Sequence, residues 1–192
     1  KMIQYVLIRL ISIILSIFPL KLIRTLKYPF GILYFILSAR STIRLIKRKK
    51  YFKENKIMDI SPLRQKIYYT QYWLETIWIN SKVNKNLSEY VNIRDEEKVK
   101  KLNVNNEGFI IALPHQGNWE FAIPAGTKLG LNLAAVAEPL KNKYILNWFI
   151  TLREKMGCKI ILGGKKSDTY ESIKQLITKG YAVCLVSERH LL

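Results

Sequence analysis

From Phe109 onward the chain alternates short apolar runs with helix-like stretches, and no other feature constrains its fold so strongly. FIIAL (Phe109–Leu113), LNLAAVAE (Leu131–Glu138), CKIILGG (Cys158–Gly164) and YAVCLVSE (Tyr181–Glu188) read as strands, while Tyr144–Met156 and Thr169–Lys179 read as helices. Continuous apolar runs bounded by turns fit strands buried on both faces. Strand and helix in alternation predict an α/β fold, a mainly parallel sheet with helices on both faces. Just upstream, VNIRDEEKVKKLNVNNEG predicts a polar helix running into a turn at Asn105 to Gly108. Ligands of open sheets sit at the carboxyl ends of the strands. His115, Glu138 and Glu188 each fall at or just past such an end. Taken singly, His115 reads as an ordinary loop histidine, but three ionisable groups at equivalent strand ends form a constellation that can converge.

The first third has a different character. Met2 to Leu20 carries Arg9 as its only charge, and Tyr28 to Ala39 is uncharged. Both runs fall short of the roughly 18 charge-free apolar residues that make a clear membrane span. The residues that follow the first, Lys21 and Arg24 after Pro19, do not resemble a secretory cleavage site. The expectation is helices that lie in or dip into a bilayer, with buried core helices as the alternative. Arg40 to Lys56 then brings eight basic residues and one acidic, which reads either as a juxtamembrane polybasic segment or as a solvated helix face. Next, SPLRQKIYYTQYWLETIWIN (Ser61–Asn80) predicts a helix capped at Ser61 with Pro62 in its first turn. Most of its aromatic residues are expected in the core, and a few in a lipid-facing groove. The predicted organisation is residues 1–56 as membrane-associated helices and basic segment, then 57–192 as the α/β domain.

Composition narrows the partners. Against 14 Asp and Glu the chain has 32 Lys and Arg, a formal charge of +18, yet 49% of it is hydrophobic. A basic disordered tail would lack the apolar content. No zinc-finger spacing or ribonucleoprotein signature accompanies the charge, so nucleic acid is not the expected partner. A protein resting on anionic lipid explains both numbers, since each Lys or Arg near such a surface contributes about 1 kcal/mol. Cys158 and Cys184 stand apart without a C-x-x-C pattern, so neither a disulfide framework nor a metal site is expected, and a reducing compartment is.

The segment PHQGNWE resembles the H-x4-D/E block of the glycerolipid and lipid A acyltransferase superfamily, with His115 and Glu120 at its two named positions and GNW as in the lauroyltransferase-like branch. Ala135 to Ile161 resembles the second block of that branch, and GYAVCLVSERHLL the third. Ala137–Glu138, Arg153–Glu154 with Gly157, and Glu188–Arg189 look most like phosphatidylinositol mannoside acyltransferases; the lipid A enzymes usually show an arginine where Glu138 stands and an aspartate where Glu188 stands. That family's body continues beyond the third block, so the chain is expected to be truncated at its C-terminal end. The resemblance implies a peripheral or monotopic enzyme on the cytoplasmic face of the inner membrane. Its acyl thioester donor would be acyl-CoA or acyl carrier protein, its acceptor a glycolipid, and it would need no cofactor. A phosphatidylinositol mannoside is the leading acceptor, a lipid A precursor the alternative, and an inactive membrane-binding relative the third reading.

Acyl transfer to a hydroxyl needs a base that titrates near neutrality, which is the property of histidine. His115 is the candidate base. A carboxylate should orient the imidazole and stabilise its charged form, and Glu120 and Glu188 both qualify. Five helical residues would set His115 and Glu120 about 140° apart, so their pairing requires a turn at Gly117 and Asn118. Backbone N–H groups of Gly117 and Asn118 are candidate oxyanion donors. Trp119 is a candidate substrate contact, and the resemblance implies that Glu138 and Arg153 line the acceptor and donor site. Each has a plainer alternative: Glu120 as a first-turn acid, Arg153 as a solvated residue paired with Glu154, and Asn118 and Trp119 as turn and core fillers.

Overall fold

The computed structural model describes residues 2–56, 61–83, 86–102, 107–164 and 168–186. Contacts divide the chain into two compact units, Leu10–Ser81 and a second made of Lys1–Arg9 with Lys82–Leu192.

The first unit is helical. Helix α1 (Met2–Leu15) contributes its latter half, followed by α2 (Leu20–Leu37), α3 (Ala39–Glu54) and α4 (Pro62–Lys82). Its core is small: Leu15, Leu20, Ile23, Ile77, Trp78 and Ile79 are buried. Gly31 lets α2 and α4 approach closely, because a β-carbon there would lie 2.7 Å from the Cα of Ile67. Polar groups inside are paired. Glu75 accepts from Arg24 at 2.8 Å and from Gln71 at 2.9 Å, and the Trp78 indole donates to the carbonyl of Phe18 at 2.9 Å.

Helices α1 and α2 give Leu15, Leu20 and Ile23 to the core, but neither is buried on all sides. Ile13, Ile36 and Leu37 are 65%, 65% and 74% exposed, as is Ile17 between the helices at 79%, so each helix also carries an apolar face that points outward. Among the described residues no single helix is long and apolar enough to cross a membrane; only α2 and α3 together reach that length, and they are bent by 94°. The break falls at Ser38, whose ψ of 50° leaves the helical range. The expectation that most α4 aromatics are core residues also needs correction: Trp78 is buried, but Tyr68 and Tyr69 are about half exposed. Twenty-one residues of helix present every direction, and the unit has too little mass to cover all of them.

The second unit is α/β. After α5 (Glu96–Leu102), strands β1 (Phe109–Leu113), β2 (Asn132–Ala137), β3 (Cys158–Leu162) and β4 (Tyr181–Val186) form one sheet in the order β1-β4-β2-β3, every pair parallel. Helices α6 (Ala122–Lys128), α7 (Lys143–Lys155) and α8 (Thr169–Thr178) are the crossovers. Neighbouring residues of a strand face opposite ways, which sorts the helices. Ala134 and Val183 pack with Ile161 against Ile173, Leu176 and Ile177 of α8, whereas Leu133 meets Gly126 of α6. Helices therefore cover both faces. Strand β4 lies between β1 and β2, and its register with β1 closes with Leu113 opposite Val186.

Candidate functional site

Past the end of β1 the chain makes a tight turn. The N–H of Gln116 donates to the carbonyl of Pro114 at 2.8 Å, and Gly117 has φ +61°, a conformation that carries no β-carbon penalty only for glycine. The Asn118 side chain then accepts the N–H of Glu120 at 3.2 Å and so caps the short 3-10 turn Trp119–Phe121. Glycine and asparagine are thus required by the backbone here, and they separate the two named positions of the block. His115 stays exposed on the turn. Glu120 is completely buried.

Buried carboxylates need partners. Arg153, in the last turn of α7 and 7% exposed, donates Nε to Oε2 of Glu120 at 3.1 Å and Nη2 to Oε1 at 2.8 Å. This two-pronged, charge-assisted pairing suits the planar guanidinium. The same guanidinium lies 4.4 Å from the centre of the Trp119 ring and 5.1 Å from that of Phe149, within cation–π range. Trp119 also meets the base candidate, whose imidazole lies edge-on to it at 6.3 Å and 88°. His115, Trp119, Arg153 and Glu120 form one contiguous stack, exposed at the histidine and closed at the carboxylate.

One plainer reading falls here: Arg153 is not a solvated residue paired with Glu154. Glu120 does stand in the first turn of the short 3-10 helix, but buried on Arg153. Sequence reasoning treated these two as members of different groups, and the structure joins them. It also overlooked Phe149, although a residue four before Arg153 shares its helix face. Glu138 lies exposed just beyond β2, with β4 between β2 and β1. Glu188 falls outside the described residues, as do Arg189 and His190. Among the described residues no group of His, Cys, Asp or Glu could hold a metal ion.

The stack can hold a fixed positive charge, since an arginine keeps its proton, under an aromatic ring that supports an accessible imidazole. The neighbouring thiol is inert by contrast. Burial, and then the proximity of Cys184, push Cys158 up to about 12.

Comparison with known proteins places these features in context. The chain matches the family described as bacterial lipid A biosynthesis acyltransferase over residues 2–192. It is 29% identical over 127 residues to the phosphatidylinositol mannoside acyltransferase of Mycolicibacterium smegmatis, which covers 64% of this chain and 41% of that protein. It is 33% identical over 85 residues to the phosphatidylinositol mannoside acyltransferase of Mycobacterium tuberculosis, covering 44% of this chain and 27% of that protein. The matched part is therefore less than half of each of these relatives.

Proposed function

The chain belongs to the bacterial lipid A biosynthesis acyltransferase family, and from that premise we propose that it carries the base of an enzyme that moves a long acyl chain from a thioester to a glycolipid hydroxyl. The observation that carries the proposal is the placement of His115, exposed on a tight turn beyond β1 and backed by Trp119 on the buried Arg153–Glu120 pair. His115 takes the proton of the acceptor hydroxyl as its oxygen attacks the thioester carbonyl. Backbone N–H groups of Gly117 and Asn118 meet the oxyanion. The intermediate collapses, the thiolate leaves, and it takes the proton back from the imidazolium. Glu188 orients the imidazole: the strand that leads to it ends in register with the strand that leads to His115. Glu138, exposed beyond β2, contacts a substrate, whereas the expected substrate contact at Arg153 gives way to a supporting role, because its guanidinium is buried on Glu120 beneath Trp119.

The acceptor we favour is a phosphatidylinositol mannoside, because the mycobacterial relatives bear that acceptor's name; the donor we favour with it is acyl-CoA. The family's description supports a second acceptor, a lipid A precursor, for which acyl carrier protein would be the donor. Attachment would be to the cytoplasmic face of the inner membrane, supported by the exposed apolar faces of α1 and α2 and the basic residues of α3.

The test is thioester release by the full-length protein with each acceptor and each donor, in wild type and His115→Ala. Loss of a general base should lower turnover by about 10²–10⁴-fold, with circular dichroism and vesicle binding unchanged. Residual activity within about tenfold of wild type refutes the role of His115. No turnover in any combination supports an inactive membrane-binding relative instead.

A further inference from the structure

The helical unit holds an apolar groove remote in sequence from the block that carries His115. It encloses about 580 Å³, within the roughly 300–1,000 Å³ of small-molecule sites. Ile11, Leu15, Phe30, Tyr34, Tyr69 and Trp73 line it, from α1, α2 and α4. The rings of Tyr34 and Tyr69 stack at 5.9 Å and 24°, and Tyr69 meets Trp73 edge-on at 6.4 Å, so one wall is a continuous aromatic surface.

One end of that wall is cationic. The Nζ of Lys66 sits 4.0 Å from the centre of the Tyr34 ring. Lys66 is only 4% exposed, and its hydrogen bonds among the described residues go to the hydroxyls of Ser38, at 2.8 Å, and Ser41. These are neutral acceptors. A buried ammonium ordinarily has an anion beside it, and here the described residues supply two hydroxyls and a ring face. The elbow between α2 and α3 falls at the same place, so the arginines that open α3, Arg40 and Arg44, start at this end. Lys27, between the rings of Tyr28 and Tyr68 at 5.2 and 5.1 Å, adds a second cation one turn before Phe30.

An apolar slot with a cationic end is complementary to an anionic amphiphile. We propose that the groove takes one acyl chain of an anionic bilayer phospholipid, with its phosphate at the Lys66 elbow. The bilayer is the source that fits, because groove residues Ile11, Ile14, Phe30 and Tyr69 are 40%, 57%, 49% and 50% exposed and continue the outward apolar faces of α1 and α2. The occupant would be a structural lipid that ties the helical unit to the membrane; this rests on the membrane-surface reading above, but not on the acyltransferase activity.

The experiment is native mass spectrometry of the full-length protein in mild detergent, offered phosphatidylglycerol, phosphatidylcholine, palmitate or palmitoyl-CoA one at a time, with sedimentation on phosphatidylglycerol vesicles alongside. One phosphatidylglycerol should be retained in preference to phosphatidylcholine. Ile14→Trp fills the groove from an exposed position and should weaken retention by about tenfold or more, the equivalent of about two methylenes withdrawn from it, while sedimentation persists. Lys66→Met should remove the preference for phosphatidylglycerol. Undiminished retention by a folded Ile14→Trp overturns the proposal, as does displacement of phosphatidylglycerol by palmitoyl-CoA, which would make the slot a donor site. Wild-type protein that retains the lipid but does not sediment with vesicles overturns the membrane-surface reading and leaves the groove assignment standing.

Discussion

Arg153→Met keeps an apolar stem of similar length and removes the charge that faces Glu120. Both ends of the pair are enclosed, with side-chain exposures of 8% and 0%, and two hydrogen bonds of 3.1 and 2.8 Å join them. Removing one member of a buried pair strands the other and costs about 3–5 kcal/mol, whereas an exposed pair is worth about 0–1 kcal/mol. Arg153→Met and Glu120→Leu should each fall in the higher range. The combined variant strands no charge, and apolar replacement of a buried pair is often neutral or better, so it should be more stable than either single variant. It should not regain wild-type stability in full, because the cation–π contacts with Trp119 and Phe149 are also gone, at about 0.5–2 kcal/mol. Urea unfolding can be followed by tryptophan emission, to which Trp119 contributes from within the stack. With a slope of about 1–3 kcal/mol per molar, each single variant should shift the midpoint by about 1 M or more. Single variants costing less than about 1 kcal/mol, or a double variant costing the sum of both, would refute the buried-pair argument.

Other measurements address other parts of the molecule. Cys158, with its thiol pushed up to about 12 chiefly by burial, should resist iodoacetamide at pH 8 until the chain is unfolded; labelling of folded protein at the rate of a free thiol would contradict its burial. Because the folded thiol keeps its proton where the unfolded one loses it, that contribution to stability is complete below the ordinary value of 9.0 and is lost as pH rises toward about 12, which unfolding midpoints at pH 8 and 10 would show. Salt at 1 M shortens the reach of surface charge to about 3 Å, so it should weaken attachment through α3 yet leave the protein on membranes through α1 and α2; complete release would overturn the apolar anchor. Finally, Glu188→Gln should lower turnover by on the order of 10⁴-fold if that residue orients His115, and near-wild-type turnover would remove it from the site.

The sheet was legible because each of its strands is a short, largely apolar run. β1 begins and ends where FIIAL does, and β3 gives up only the two glycines that follow it. Strand order was not legible. That β4 inserts between β1 and β2 depends on how crossovers pass over the sheet, and local periodicity carries no record of it. In the helical unit the pattern named helices correctly but not their surroundings. Tyr68 and Trp78 both fit an apolar helical spacing, yet one is half exposed and the other is 1% exposed. Which of them is covered from solvent is decided by packing against helices far away in sequence, as where the Trp78 indole meets the carbonyl of Phe18.

The site shows the same limit in a sharper form. Helical geometry turns His115 and Glu120 about 140° apart, and the left-handed Gly117 and the cap at Asn118 make the real path of the chain a turn rather than a helix. Spacing could therefore say that the two residues meet different surroundings, but not that the glutamate's lie 33 residues away at Arg153. Once that partner is known, the block divides by burial. Its exposed end presents the imidazole of His115, and its buried end holds the guanidinium of Arg153 beneath Trp119. A catalytic base must be reached by substrate, whereas the group that holds its support must be kept from water so that the pairing stays strong. One glycine and one asparagine change the direction of the chain between the exposed imidazole and the buried carboxylate, which is the division of the motif that the proposed role of His115 requires.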